Sequence, residues 1–133
     1  MAANTSPIFP LTPRIGGALV GASAVTARTA ITGTTGLTLI SASGSFGTRW
    51  DRIWLKGTGT TLAGLIDIWI YDGTTSRAYE ALPVTVVTAS TTVDSFETYH
   101  DFTTLVLPST YSLYCSSQVA SQLITVWAFG GDY

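Results

Sequence analysis

The chain has 133 residues, enough for one domain with a real core, and it joins 46% hydrophobic to only 11% charged residues, where a soluble domain ordinarily carries about 25% charged. A mean hydropathy of +0.36 excludes a disordered chain, and the prevalence of Thr and Ser over Glu, Lys and Arg excludes long helices and coiled coils. A net charge of −2 with one lysine, Lys56, excludes the clustered cations of a nonspecific nucleic-acid binder, and Asp67 and Asp72 break the most apolar stretch well short of the roughly 18 residues of a membrane helix.

Thr has high β-propensity and wets a strand face without charge, so the composition is that of an all-β protein. Pro7, Pro10 and Pro13 predict an extended opening. Residues 15–27, IGGALVGASAVTA, have the small apolar texture of a secretory leader, but the charged start of a leader is missing and glycines weaken the run. An extended N-terminal arm over 1–27, docked on the body or on a neighbouring subunit, is the expectation, followed by a β-sandwich over 28–133.

Short β-compatible runs then recur every eight to twelve residues or so, the spacing of a sandwich or barrel, and about eight strands are expected. Residues 28–34 and 37–42 are joined near Gly33 and Gly36. In the run 48–56, Ile53 and Leu55 take one face, with Trp50, Arg52, Trp54 and Lys56 on the other. In 62–71, Ile66, Ile68 and Ile70 alternate with Asp67, Trp69 and Tyr71. Asp72-Gly73 predicts a tight hairpin turn, with 76–82 returning until Pro83 stops it. The Val- and Thr-rich stretch 84–98 must turn near 89–92, and strands follow over 103–107 and 111–116. In 123–129 both faces are apolar, which places that run centrally or in an interface.

Groups able to do chemistry are sparse. His100 is the one histidine, and on a strand Glu97 and His100 point to opposite faces, so it is expected to be a surface or strand-end residue. One Cys and one His cannot make a zinc site, and no Asp-x-Asp-x-Asp-Gly calcium loop is present. No metal or cofactor is expected. Cys115, alternating with Tyr111 and Leu113, is expected to be a buried small hydrophobe. Gly57-Thr58-Gly59 lacks the Lys and helix of a phosphate loop, and Asn4-Thr5-Ser6 matters only as a glycosylation acceptor in a eukaryotic secreted chain. Trp50, Trp54, Trp69 and Trp127 fit a core or subunit interface, or a sugar-stacking platform; Trp54 and Trp69 stand out because each sits opposite an isoleucine or leucine face. Up to Thr60 five cations face one acid, and beyond it one cation faces seven acids, an asymmetry that would suit self-assembly if it survived in space.

The phrases SPIFPLTPR, TARTAITGTTGLTLISA, GTRWDRIWLKGTGTTLAGLIDIWIYDGTTSRAYEALPV and VWAFGGDY, covering most of 7–133, resemble small structural proteins of tailed bacteriophage particles, closest to capsid cement or decoration proteins with a β-sandwich or jelly-roll body. The resemblance implies a non-enzymatic homotrimer at the capsid surface of the virion, clamping the major capsid protein. On that basis Ile8, Phe9, Leu11 and Arg14 are candidates for the capsid interface, and Trp54, Trp69, Trp127, Phe129 and Tyr133 for the oligomer interface. The alternative expectation is a phage tail or receptor-recognition module, or a carbohydrate-binding β-sandwich.

Overall fold

The structure, a computed structural model, describes residues 12–133. Its nine strands are β1 (Thr12–Leu19), β2 (Ile31–Thr32), β3 (Thr38–Ala42), β4 (Thr48–Gly57), β5 (Gly64–Tyr71), β6 (Thr75–Val84), β7 (Glu97–Leu107), β8 (Ser112–Ser117) and β9 (Ile124–Asp132). They form a four-stranded sheet, β1-β9-β4-β7, and a five-stranded sheet, β2-β6-β5-β8-β3, with every pairing antiparallel. With the two-residue β2 set aside, consecutive strands change sheet at every step except the β5–β6 hairpin, which is the double Greek-key connectivity of a jelly roll. The all-β sandwich expected from composition is therefore present.

The core lies between the sheets. Ile53, Leu55, Ile124, Val126 and Ala128 come from the four-stranded sheet and meet Ile66, Ile68, Leu82, Leu113 and Cys115 from the other. Period-2 alternation places these side chains, and the hairpin behaves as its turn residues demand. Gly73 takes φ 96°, while the Asp72 carboxylate accepts from the Thr74 and Thr75 N–H groups at 2.9 and 2.7 Å.

Several sequence expectations give way. The arm expected over 1–27 contributes strand β1, paired along its whole length with β9, so the folded body starts by Thr12. Pro13 is tolerated because β1 is an edge strand, and Pro83 because β6 is paired by β2 only at Thr75 and Ser76. Of the expected strand 28–34 only Ile31–Thr32 pairs, and residues 85–96 contain no strand. Trp50 does not share a face with Trp54: Asp51 is an extra residue in β4 relative to β9, and this bulge shifts the alternation so that Trp50 turns into the core.

Segment 21–30 joins β1 to β2 by crossing the five-stranded sheet. The Val25 N–H bonds to the Ser117 carbonyl of β8 at 2.8 Å, and Arg28 Nε bonds to Asp67 of β5 at 3.1 Å. This strap lies on the side away from the core. Asp67 and Trp69 point to that side, yet both are fully buried, with the Trp69 indole N–H donating to Ser116 Oγ at 2.9 Å and Gln118 Nε2 donating to Asp67 at 2.9 Å. The outer side of this sheet is thus buried around Asp67 and Trp69, while Leu39 on β3 stays exposed.

Candidate functional site

The other sheet is bare. Strand register sets its outer face as a grid: Leu19, Thr125, Lys56 and Glu97 form one row across β1, β9, β4 and β7. Gly17, Trp127, Trp54 and Tyr99 form the next, and Ile15, Phe129, Arg52 and Asp101 the third. Beyond the bulge comes a fourth row, with Pro13, Gly131, Arg49 and Val106. Ile15 is 64% exposed and Trp127 40%, and Leu19, Tyr99, Val106 and Phe129 are also exposed. Five of these, Ile15, Leu19, Trp127, Phe129 and Tyr99, join through half-buried Trp54 into a patch of the kind that marks an association surface, while Val106 stands apart behind Arg49 and Asp101.

The middle row has a specific shape. Trp54 and Trp127 are cross-strand partners, but their rings lean apart. Trp54 stacks on Tyr99 toward β7, with centroids 5.7 Å apart and planes 6° from parallel. Trp127 lies toward β1 over Gly17, where a Cβ would fall 2.7 Å from the indole carbon Cε3. The absence of a side chain at Gly17 is what lets the ring lie down. Between the two indoles runs a groove of about 610 Å³ lined by Ile15, Arg52, Trp54, Lys56, Trp127 and Phe129.

The cations beside the groove are paired in place. Arg52 forks onto Asp101 through Nε and Nη2 at 2.5 and 3.0 Å, and its guanidinium carbon sits 4.1 Å from the centre of the Tyr99 ring. Lys56 reaches Asp94 at 3.0 Å and Glu97 at 3.2 Å. These hydrogen bonds raise the Arg52 and Lys56 pKa values and lower those of Asp94 and Asp101. The cations of the first half pair mostly with acids of the second: Arg14 with Asp132, Arg28 with Asp67, Arg52 with Asp101 and Lys56 with Asp94 and Glu97. The charge asymmetry along the sequence does not survive in space, which removes it as a support for self-assembly.

Of the candidate oligomer residues, the structure brings Trp54, Trp127 and Phe129 together on this face. Trp69 is corrected: it is fully buried on the outer side of the five-stranded sheet, its indole N–H bonded to Ser116, and alternation with isoleucines could not reveal that burial. Tyr133 stands apart at one end, its N–H bonded to the Gly47 carbonyl at 3.2 Å. Ile8, Phe9 and Leu11 lie outside the described residues. Arg14 is engaged within the body, donating to Asp132 at 2.6 Å and to the Ala42 carbonyl at 3.1 Å. Asp132 also accepts from Thr48 Oγ1, so this carboxylate ties β1, β4 and β9 at the end where β1 begins, and these bonds hold its pKa below the usual range. Phe46, 83% exposed, projects from the β3–β4 turn at that same end.

Ile15, Leu19, Tyr99 and Val106 complete the face and were not singled out by the sequence. Tyr99 was within reach, since its alternation with His100 mirrors that of Trp54 with Ile53; Ile15 and Leu19 were hidden by the arm reading. His100 approaches Glu80 of the facing sheet at 3.5 Å and packs edge-on against Phe102, while Glu97 turns to Lys56 on the outer face. Cys115 is buried and its thiol is pushed up to about 12 by burial. Trp50 keeps its indole N–H without a hydrogen-bond partner in the core. No group of three or more His, Cys, Asp or Glu arranged to hold a metal occurs among the described residues. No protein-family model, curated protein or solved structure matches the chain.

Proposed function

We propose that this chain is a non-enzymatic structural protein of a tailed-phage particle, of the capsid decoration type. The observation that carries the proposal is the exposed aromatic end of the body where β1 begins: Phe46, 83% exposed, projects there beside Tyr133, on backbone fixed by the Arg14–Asp132–Thr48 bonds. Such a body works by contact. A jelly roll is among the architectures used by viral capsid domains, which agrees with the phage-like phrases of the sequence.

Attachment to the major capsid protein is assigned to the end where Thr12 enters β1. The segment carrying Ile8, Phe9 and Leu11 precedes Thr12 in the sequence, and Phe46 and Tyr133 lie at the Thr12 end of the body. Aromatic side chains on fixed backbone are frequent anchors of protein contacts. The bare sheet runs along the side of the body, so docking by the end leaves it open. Many copies on a shell give weak individual contacts a high combined avidity.

Cosedimentation with empty shells of the cognate major capsid protein tests this reading. The full chain is expected to pellet with shells, and a chain starting at Thr12 to stay in the supernatant with unchanged thermal stability. The truncation must stop at Leu11, because Arg14 belongs to the body. A full chain that never pellets with shells overturns the proposal.

A further inference from the structure

We propose that the groove between Trp54 and Trp127 is a binding site for a neutral saccharide, with a pyranose ring against the free face of the Trp54 indole and its hydroxyls at Arg52 and Lys56. The inference goes beyond capsid attachment and concerns the sheet face that end-on docking leaves open.

Three observations select this occupant. The first is size. The groove, about 610 Å³, falls within the roughly 300–1,000 Å³ typical of small-ligand sites. The face as a whole spans four strands about 4.8 Å apart and four rows about 6.8 Å apart, on the order of 500 Å² of plane.

The second is charge. Arg52 and Lys56 border the groove but are held by three carboxylates, Asp101, Asp94 and Glu97, so no positive field draws an anion. Their ion pairs nevertheless fix polar groups, carboxylate oxygens as well as cations, beside an aromatic wall. A ligand with an apolar C–H face and a hydroxyl-bearing edge matches both features at once.

The third is preorganisation. One face of Trp54 is already occupied by Tyr99, which fixes the ring and leaves the other face to the groove. Trp127 is held away by lying over Gly17, so the gap exists without a ligand to wedge it open.

Calorimetry and tryptophan emission of the full chain, titrated with neutral gluco-, manno-, galacto- and N-acetylglucosamine oligosaccharides and with anionic polygalacturonate, test the proposal. At least one neutral oligosaccharide is expected to bind saturably and shift the emission. Trp54→Ala is expected to weaken that binding at least tenfold, and Gly17→Ala comparably, because its Cβ drives the Trp127 ring off β1 and into the groove. Phe46→Ser is expected to leave it unchanged. Binding of polygalacturonate alone, or of none of these sugars, overturns the proposal. So does light scattering that finds a multiple of the chain mass that falls to one chain in Trp54→Ala, since a second copy then fills the groove. Shell cosedimentation of Trp54→Ala separates the two readings: sugar binding can fail while shell binding persists, and the reverse.

Discussion

Arg28→Ala tests the strap. Asp67 is fully buried on the outer side of β5, and its carboxylate has two partners, Arg28 Nε at 3.1 Å and Gln118 Nε2 at 2.9 Å. Charges about 4 Å apart at an effective dielectric near 20 attract by about 4 kcal/mol. The Arg28 side chain is 46% exposed, so water screens the pair, and about half of that value is the expected loss. A loss of about 2 kcal/mol is a large part of the stability of a small domain and moves a urea midpoint by about 1 M. Asp67→Asn made together with Arg28→Ala removes the stranded charge, and the double variant should regain at least about 1 kcal/mol relative to additivity. An Arg28→Ala midpoint within error of the parent, or strict additivity in the cycle, would refute the idea that this ion pair pins the strap.

Further expectations follow from burial and ionisation. Trp69→Ala should cost about 3–5 kcal/mol in urea unfolding, as for other buried aromatic truncations, whereas Trp54→Ala on the bare face should stay within about 1 kcal/mol; equal losses would contradict the two placements. The Asp72 carboxyl, lowered to about 2 by the Thr75 N–H, then Arg77 and the Thr74 N–H, has a folded value below its unfolded one. Its contribution to stability is therefore complete above the ordinary carboxylate range near 3.9 and is lost as pH falls through about 2. A carbon-detected NMR titration should place its midpoint near 2, and a midpoint at 3.9 would contradict the turn geometry. Cys115, buried and with its thiol near 12, should react with a disulfide reagent at pH 8 only as fast as the protein opens, and quickly above the urea midpoint; fast labelling of the native chain would contradict its burial.

What the sequence made legible was whatever depends on neighbours along the chain. The isoleucine alternation of β5, the Asp72-Gly73 hairpin and the two apolar faces of β9 all hold: β9 is an inner strand with Val126 in the core and Trp127 on the bare face. What stayed hidden depends on contacts distant in sequence. Trp69 and Trp54 have the same local pattern, yet the Trp69 indole is fully buried while Trp54 lies half-buried on the bare face. A single extra residue, Asp51, moved Trp50 across the sheet, and periodicity gives no warning of a bulge. β1 was obscured because Pro13, Gly16 and Gly17 are poor strand formers, yet an edge position tolerates the proline, and the glycines serve close approach: to Ile40 and Ser41 at Gly16 and to the Trp127 ring at Gly17. The face itself was half visible, since Trp54, Trp127 and Phe129 were singled out while the neighbours that join them into a surface lie on β1 and β7.

The most direct test of a body that docks by its end and keeps its aromatic sheet open is hydroxyl-radical footprinting of the chain, free and bound to empty shells. Binding is expected to protect residues 1–11, Phe46 and Tyr133, while Ile15, Tyr99, Trp127 and Phe129 stay as reactive as in the free chain. Protection of Trp127 and Phe129 on the shell, with Phe46 unchanged, would contradict it and make the aromatic sheet the capsid-binding surface.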